Sequence, residues 1–232
     1  MIVSSTVALV GAKSAQGFFI LVVLMSILAI RQVLQRLKFR QSVLLSILLA
    51  IAGTAGTVFF WLNIDTIFAA NGRDLTLTGR TEFWPQIINT LHNHNPFLGY
   101  GFRGFWQDWR GAENPARSII NANGFVPPNA HNGFIDLAVQ IGYIGLFAFL
   151  VSTIAIALRA LVFAARQRTT TSIVPLILTV YIVLANFSET QIFTDVYVWF
   201  LYIYLAVSPE LDISTSTARS RAQPIVKPEL IH

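Results

Sequence analysis

Three long, mostly apolar stretches, at 15–30, 43–62 and 134–158, set the terms on which this chain can fold. Each comes near or exceeds the roughly 20 residues that an α-helix needs to cross the hydrocarbon core of a bilayer. A bilayer tolerates only structures whose backbone polar groups are satisfied internally, so runs of this kind are spent on helices. Two shorter apolar runs, 173–187 and 192–207, flank the tetrapeptide SETQ and read as a helical hairpin. Of 232 residues, 54% are hydrophobic and 12% charged, with a mean hydropathy of +0.61. No soluble domain of this length could cover its surface with so few charges. The expectation is an all-α integral membrane protein with about five transmembrane helices, embedded in a lipid bilayer.

The charges give the topology. A net charge of +5 could indicate nucleic acid, but the basic residues fall in short clusters between apolar runs, the pattern of cytoplasmic loops and not of a nucleic-acid surface. RQVLQRLKFR, at 31–40, contains Arg31, Arg36, Lys38 and Arg40 and no acid, and Arg159, Arg166 and Arg168 follow the third run. Segment 63–132 balances its arginines (73, 80, 103, 110, 117) with acids (65, 74, 82, 108, 113) and is assigned to the outer, periplasmic side. Spans then alternate from an external amino terminus to a cytoplasmic tail at 209–232, which is rich in Ser and Thr and is expected to be disordered. The membrane domain is residues 1–208. The opening MIVSSTVALVGAKSA has neither a basic n-region nor a cleavage site and is no signal peptide. With that end outside, the chain reads as the C-terminal part of a longer multispanning protein. It has no cysteine, which removes thiol nucleophiles and thiolate metal sites.

Polar chemistry concentrates in the external segment and the start of the third run. In TEFWPQIINTLH, at 81–92, Phe83, Trp84, Ile87, Ile88 and Leu91 recur at helical spacing, with Pro85 placed in the first turn. A short amphipathic helix lying along the membrane surface is predicted. Arg80 stands at its start, where free N–H groups and the helix dipole favour phosphate oxygens. The same position suits an interfacial arginine snorkelling toward headgroups. His131 opens the third run, and Asn132, Asp136 and Gln140 follow in one stripe at spacings of four. Ionisable groups at that depth face a cavity or a partner, although such a stripe also glues helices by hydrogen bonding, and a boundary histidine can be a plain polar cap. Glu189 and Asp195 flank the last hairpin and Lys13 precedes the first run, so all could share one outer vestibule. The GxG of LGYGF follows no strand, so Gly99 and Gly101 are assigned to a tight turn and not to a nucleotide fold. His92 and His94, two residues apart at a helix end, point apart, so no metal site is assigned with His131.

Taken together, GR-x-x-x-W (Gly79, Arg80, Trp84), P-x-x-G-x-G (Pro96, Gly99, Gly101), HN at the mouth of a span (His131, Asn132) and G-x-x-G (Gly142, Gly145) resemble the O-antigen ligase and Wzy-type polysaccharide polymerase family. AKS at 12–14 resembles that family's Ser-Arg or Ser-Lys element, and NFSET at 186–190 its acidic motif. The resemblance covers about 10–205. It implies a multispanning inner-membrane glycosyltransferase that needs no cofactor or metal and moves a glycan from undecaprenyl diphosphate to a glycan or lipid A-core acceptor on the periplasmic side, with inversion. His131 is then the general base and Arg80 the ligand of the diphosphate, helped by Lys13. Arg103, Asn132, Asp136, Gln140 and Glu189 are the remaining substrate-binding candidates. The rival class is a non-enzymatic fragment of a transporter or flippase for lipid-linked sugars, which the spans and stripe suit equally well.

Overall fold

A computed structural model describes residues 15–38, 40–41, 44–45, 48, 80–120, 124–167 and 169–208. Among them the chain is helical, with α1 (Ala15–Arg36), α2 (Arg80–His94), α3 (Gly133–Arg166), α4 (Val174–Ser188), α5 (Gln191–Thr194) and α6 (Val196–Val207), joined in part by short 3-10 turns, and no strand. Two helices are long and apolar enough to cross a membrane, at Gln16–Arg36 and Gly133–Arg166. The apolar helices Thr171–Phe187 and Val196–Val207 are shorter than a simple span, so among the described residues two helices, and not five, have the length and composition of a full crossing. Most of the expected run at 43–62, the segment 63–79, Lys13 and the tail at 209–232 lie outside the described residues.

Helix α1 continues past the expected boundary, and Arg31 becomes part of it. Its guanidinium donates to the carbonyls of Ala164 (3.2 Å), Gln167 (3.4 Å) and Thr169 (2.8 Å) and to Ser172 Oγ (2.7 Å). These acceptors include carbonyls left over where α3 ends, and a cation there also opposes the negative end of the helix dipole. Arg159 does the same for α6, donating to the carbonyls of Ala206 and Ser208 at 3.0 Å each. At the other end of α1, Gln16 Nε2 donates to the Ala185 carbonyl at 3.2 Å. The fifteen-residue rise from Gln16 to Arg31 is about 22 Å at about 1.5 Å per residue. The Arg31 cap and the end of α4 are therefore held about 22 Å apart along α1.

Helix α2 carries the predicted amphipathic pattern, but its apolar face meets protein. Phe83, Ile87 and Leu91 are fully buried in one cluster with Phe105, Ile119 and Val139, each contributing about 1.5–3 kcal/mol by leaving water. The reason is local: the 95–120 segment folds back beneath α2 and supplies Phe105, Ala116 and Ile119 as its floor. Pro85 lies inside this helix and not in its first turn, which leaves one ladder hydrogen bond unmade. A second cluster joins α3, α4 and α6 through Leu137, Phe149, Ile182, Val198 and Tyr202.

Candidate active site

His131 is one of two described residues other than glycine with positive φ, at 47°. That backbone is costly for an L-residue and persists where the surroundings over-determine it. Here the His131 N–H donates to Asn129 Oδ1 at 2.8 Å, and the next residue, Asn132, caps α3 by accepting from Phe134 N (3.0 Å) and Ile135 N (3.1 Å). Asn132 also donates to the Phe187 carbonyl of α4 at 3.0 Å. Gly133 follows because any Cβ there would meet the side chain of Asn186. Turn, cap and close approach together aim the imidazole at the end of α4, where His131 Nδ1 lies 3.0 Å from Glu189 Oε2. Neither side chain is sealed off: His131 is 28% exposed and Glu189 38%.

Beneath this pair sits Asp136, with no solvent exposure. Its Oδ1 accepts from Trp106 Nε1 at 2.5 Å. Oδ2 accepts from the Ala130 N–H at 3.2 Å and from the Thr190 hydroxyl. A buried carboxylate without donors would be prohibitively costly, and three donors drawn from three separate segments satisfy this one. Asn186, also buried, fixes the α4–α5 turn by accepting from Gln191 N (3.1 Å) and Ile192 N (2.9 Å). Trp84 ties α2 to the same turn as His131, its indole N–H donating to the Ala130 carbonyl at 2.8 Å.

The NPFLGYG turn is spliced into α3. At Gly142 the backbone leaves helical geometry (φ 70°, ψ 179°). Tyr100 N then donates to the Val139 carbonyl at 3.0 Å, while Tyr143 N and Ile144 N donate to the carbonyls of Pro96 (2.8 Å) and Phe97 (3.3 Å). The groups freed by the break are thus re-paired by the turn. Gly99 (φ 67°) sits against the gap, where a Cβ would lie 2.7 Å from Gly142 N and from the Val139 carbonyl. One turn along, Gln140 Oε1 accepts from Arg103 N at 2.7 Å, and burial raises the phenol of Tyr100 above its ordinary range.

The sequence candidates thus fall into groups. His131, Asn132, Asp136 and Glu189 converge on the α3–α4 junction. Gln140 acts on the spliced turn, and Arg103 meets it through its backbone, with its guanidinium 5.6 Å from the Phe102 ring centre. Of Arg80 only the backbone is described, as the first residue of α2. Among the described residues no three His, Cys, Asp or Glu side chains gather to hold a metal ion. Trp106, Thr190 and Asn186 carry no signal of their own in the sequence. NFSET and GFRGFW contain them, but only the position of Asp136 in space gives them a common purpose.

Residues 1–150 match the family described as O-antigen ligase. The chain belongs to the O-antigen ligase family. Its members are membrane proteins, and the two long apolar helices agree with that. Over 86 residues the chain is 38% identical to the exopolysaccharide production protein ExoQ of Rhizobium meliloti (strain 1021), a match covering 36% of this chain and 19% of that protein. The match therefore spans about a fifth of the relative's length. No solved structure matches.

Proposed function

We propose that this chain forms the catalytic part of a glycosyltransferase that moves a glycan from undecaprenyl diphosphate to an acceptor hydroxyl at the periplasmic face of the inner membrane. The observation that carries this reading is the pairing of His131 Nδ1 with Glu189 Oε2 at 3.0 Å. With Nδ1–H donated to the carboxylate, the lone pair of the imidazole is left on Nε2, the arrangement a general base needs. The acceptor hydroxyl gives its proton to Nε2 as its oxygen bonds to the anomeric carbon. The bond from that carbon to the diphosphate oxygen breaks, and undecaprenyl diphosphate departs with the electron pair. Attack from the face opposite the leaving group inverts the anomeric centre.

The leaving group needs positive charge and no proton. Arg80 opens α2, and with Lys13 it is proposed to hold the diphosphate through charge-assisted hydrogen bonds. The placement of the arginine caps at one end of the bundle and the His131–Glu189 pair at the other supports an outward-facing site, since basic clusters mark the cytoplasmic side. Family membership, and the name of the ExoQ relative, support surface-polysaccharide assembly over transport. O-antigen ligation and exopolysaccharide polymerisation use the same leaving group and differ in acceptor.

The test is reconstitution of the purified full-length protein with a synthetic lipid-diphosphate glycan and candidate acceptors, in the presence of EDTA. A new glycosidic bond of inverted configuration, formed with stoichiometric release of lipid diphosphate, is the predicted result. Passage of intact donor across the bilayer with no new bond would instead assign the chain to transport.

A further inference from the structure

We infer that Asp136 is a positioning residue that sets the His131–Glu189 pair through a single carboxylate oxygen. Oδ2 of Asp136 accepts from the Ala130 N–H at 3.2 Å and from the Thr190 hydroxyl. Ala130 immediately precedes His131, and Thr190 immediately follows Glu189. Each member of the pair is therefore one peptide bond from a residue tied to the same atom. The second oxygen is held by Trp106 Nε1 at 2.5 Å, which keeps the carboxylate from rotating away.

The need for such a tie lies in the backbone. His131 adopts a left-handed conformation with φ 47°, and Glu189 sits just past the end of α4 in extended geometry. The last rung of the α4 ladder holds the Glu189 N–H on the Ala185 carbonyl at 3.2 Å, but both residues lie outside helical φ/ψ. The two side chains approach from residues 58 apart in sequence, and a base displaced by even about 1 Å loses roughly a hundredfold in rate. Asp136, on the first turn of α3 and wholly buried, supplies the fixed reference. It never touches substrate in this account, because both of its oxygens face protein donors.

This inference rests on the proposed role of His131, and two independent readouts keep them apart. The full-length protein is prepared as wild type, Thr190→Val, Thr190→Ser, Asp136→Asn and His131→Ala. Each is assayed for transfer and for the 15N imidazole signals of histidine-labelled protein, with His131→Ala identifying the His131 resonances. Valine keeps the shape of threonine but removes the donor, while serine keeps the hydroxyl. Thr190→Val is expected to lower kcat about ten- to a hundredfold with KM for the donor unchanged, and to shift the His131 Nδ1 signal away from a single donating tautomer. Thr190→Ser restores most of both. Asp136→Asn behaves as Thr190→Val or worse, and should it fail to fold, the Thr190 pair still decides. If Thr190→Val leaves both kcat and the His131 signal as in wild type while His131→Ala is inactive, the positioning role is wrong and the base assignment stands. If His131→Ala turns over normally while Thr190→Val still shifts the signal, the base assignment is wrong and the positioning role stands. A loss in Thr190→Val that serine does not restore would reduce Asp136 to a structural tie.

Discussion

Substitution of Gly142 by alanine should be the most damaging single methyl addition among the glycines of α3 and the spliced turn. Gly142 combines φ 70° and ψ 179°, a region all but restricted to glycine, and holding an alanine there costs about 1–3 kcal/mol. Its new methyl would also overlap the carbonyl and carbon of Phe97, and because these are backbone atoms they cannot rotate away, adding about 1–3 kcal/mol for overpacking. The sum is about 2–6 kcal/mol. Alanine also favours the unbroken helix over glycine by about 1 kcal/mol. The chain therefore has a way out: α3 can straighten, with Tyr143 N returning to the Val139 carbonyl and the Pro96–Tyr100 turn expelled. Either outcome detaches the segment that carries Trp106 to Asp136 and Arg103 to Gln140. Two controls bracket the effect. A Cβ at Gly101 (φ 87°) would meet nothing within 4 Å, so Gly101→Ala carries only backbone strain of about 1–2 kcal/mol. At Gly145 the three atoms nearest such a Cβ all belong to the Ile141 side chain and none to backbone, and the φ there is not in the left-handed region. Thermal unfolding of the three purified variants, followed by tryptophan fluorescence, should rank Gly145→Ala closest to wild type, then Gly101→Ala, then Gly142→Ala. A Gly142→Ala protein as stable as Gly145→Ala, with its turn still ordered, would refute the account of the splice.

Other consequences can be checked in the same preparations. Arg31→Ala should destabilise the protein more than Arg31→Lys, since hydrogen bonds to a charged group are worth about 1.5–3 kcal/mol each and lysine can keep only part of the fork; equal denaturation midpoints for the two would argue against the cap. Asn132→Ala should cost about 0.5–2 kcal/mol from the lost cap alone, while Asn132→Ser retains the acceptor for the α3 N–H groups but not the donor to Phe187, so its stability should fall between alanine and wild type. For topology, the cysteine-free sequence permits single-cysteine labelling in intact cells. An impermeant reagent should reach a cysteine placed at Asn123 and not one at Arg36, and the reverse pattern would invert the proposed orientation.

The elements legible in the amino-acid sequence are those written in local pattern. Apolar runs mark α1 and α3, and the 3.6-residue recurrence of Phe83, Ile87 and Leu91 marks α2, because helical periodicity needs no knowledge of a partner. What covers that face is not local. Segment 95–120 turns back beneath α2, so Phe83, Ile87 and Leu91 of a helix expected on the membrane surface are covered by protein. The break at Gly142 is likewise hidden, because G-x-x-G in an apolar run is also a close-packing signal, and the turn that fills the gap lies about forty residues earlier. At the site, the stripe of Asn132, Asp136 and Gln140 is visible as a face. Its division of labour is not, since a carboxylate that holds three protein donors and one that awaits substrate have the same spacing. Arg31 reads as a loop charge for a similar reason: nothing in RQVLQRLKFR reveals that the end of a helix over a hundred residues later lies beside it.

The measurement that bears most directly on the central claim is transfer from a lipid-diphosphate glycan by wild type, His131→Ala and His131→Gln, with donor binding followed in parallel. Removing a general base should lower turnover by about 10²–10⁴, and glutamine should recover little, since an amide can hold a hydrogen bond but cannot take the proton. Donor binding should persist in both variants, because Arg80 and Lys13, which are proposed to hold the diphosphate, are untouched. Turnover near the wild-type rate in both variants would contradict the account and leave His131 as a strained cap at the mouth of α3.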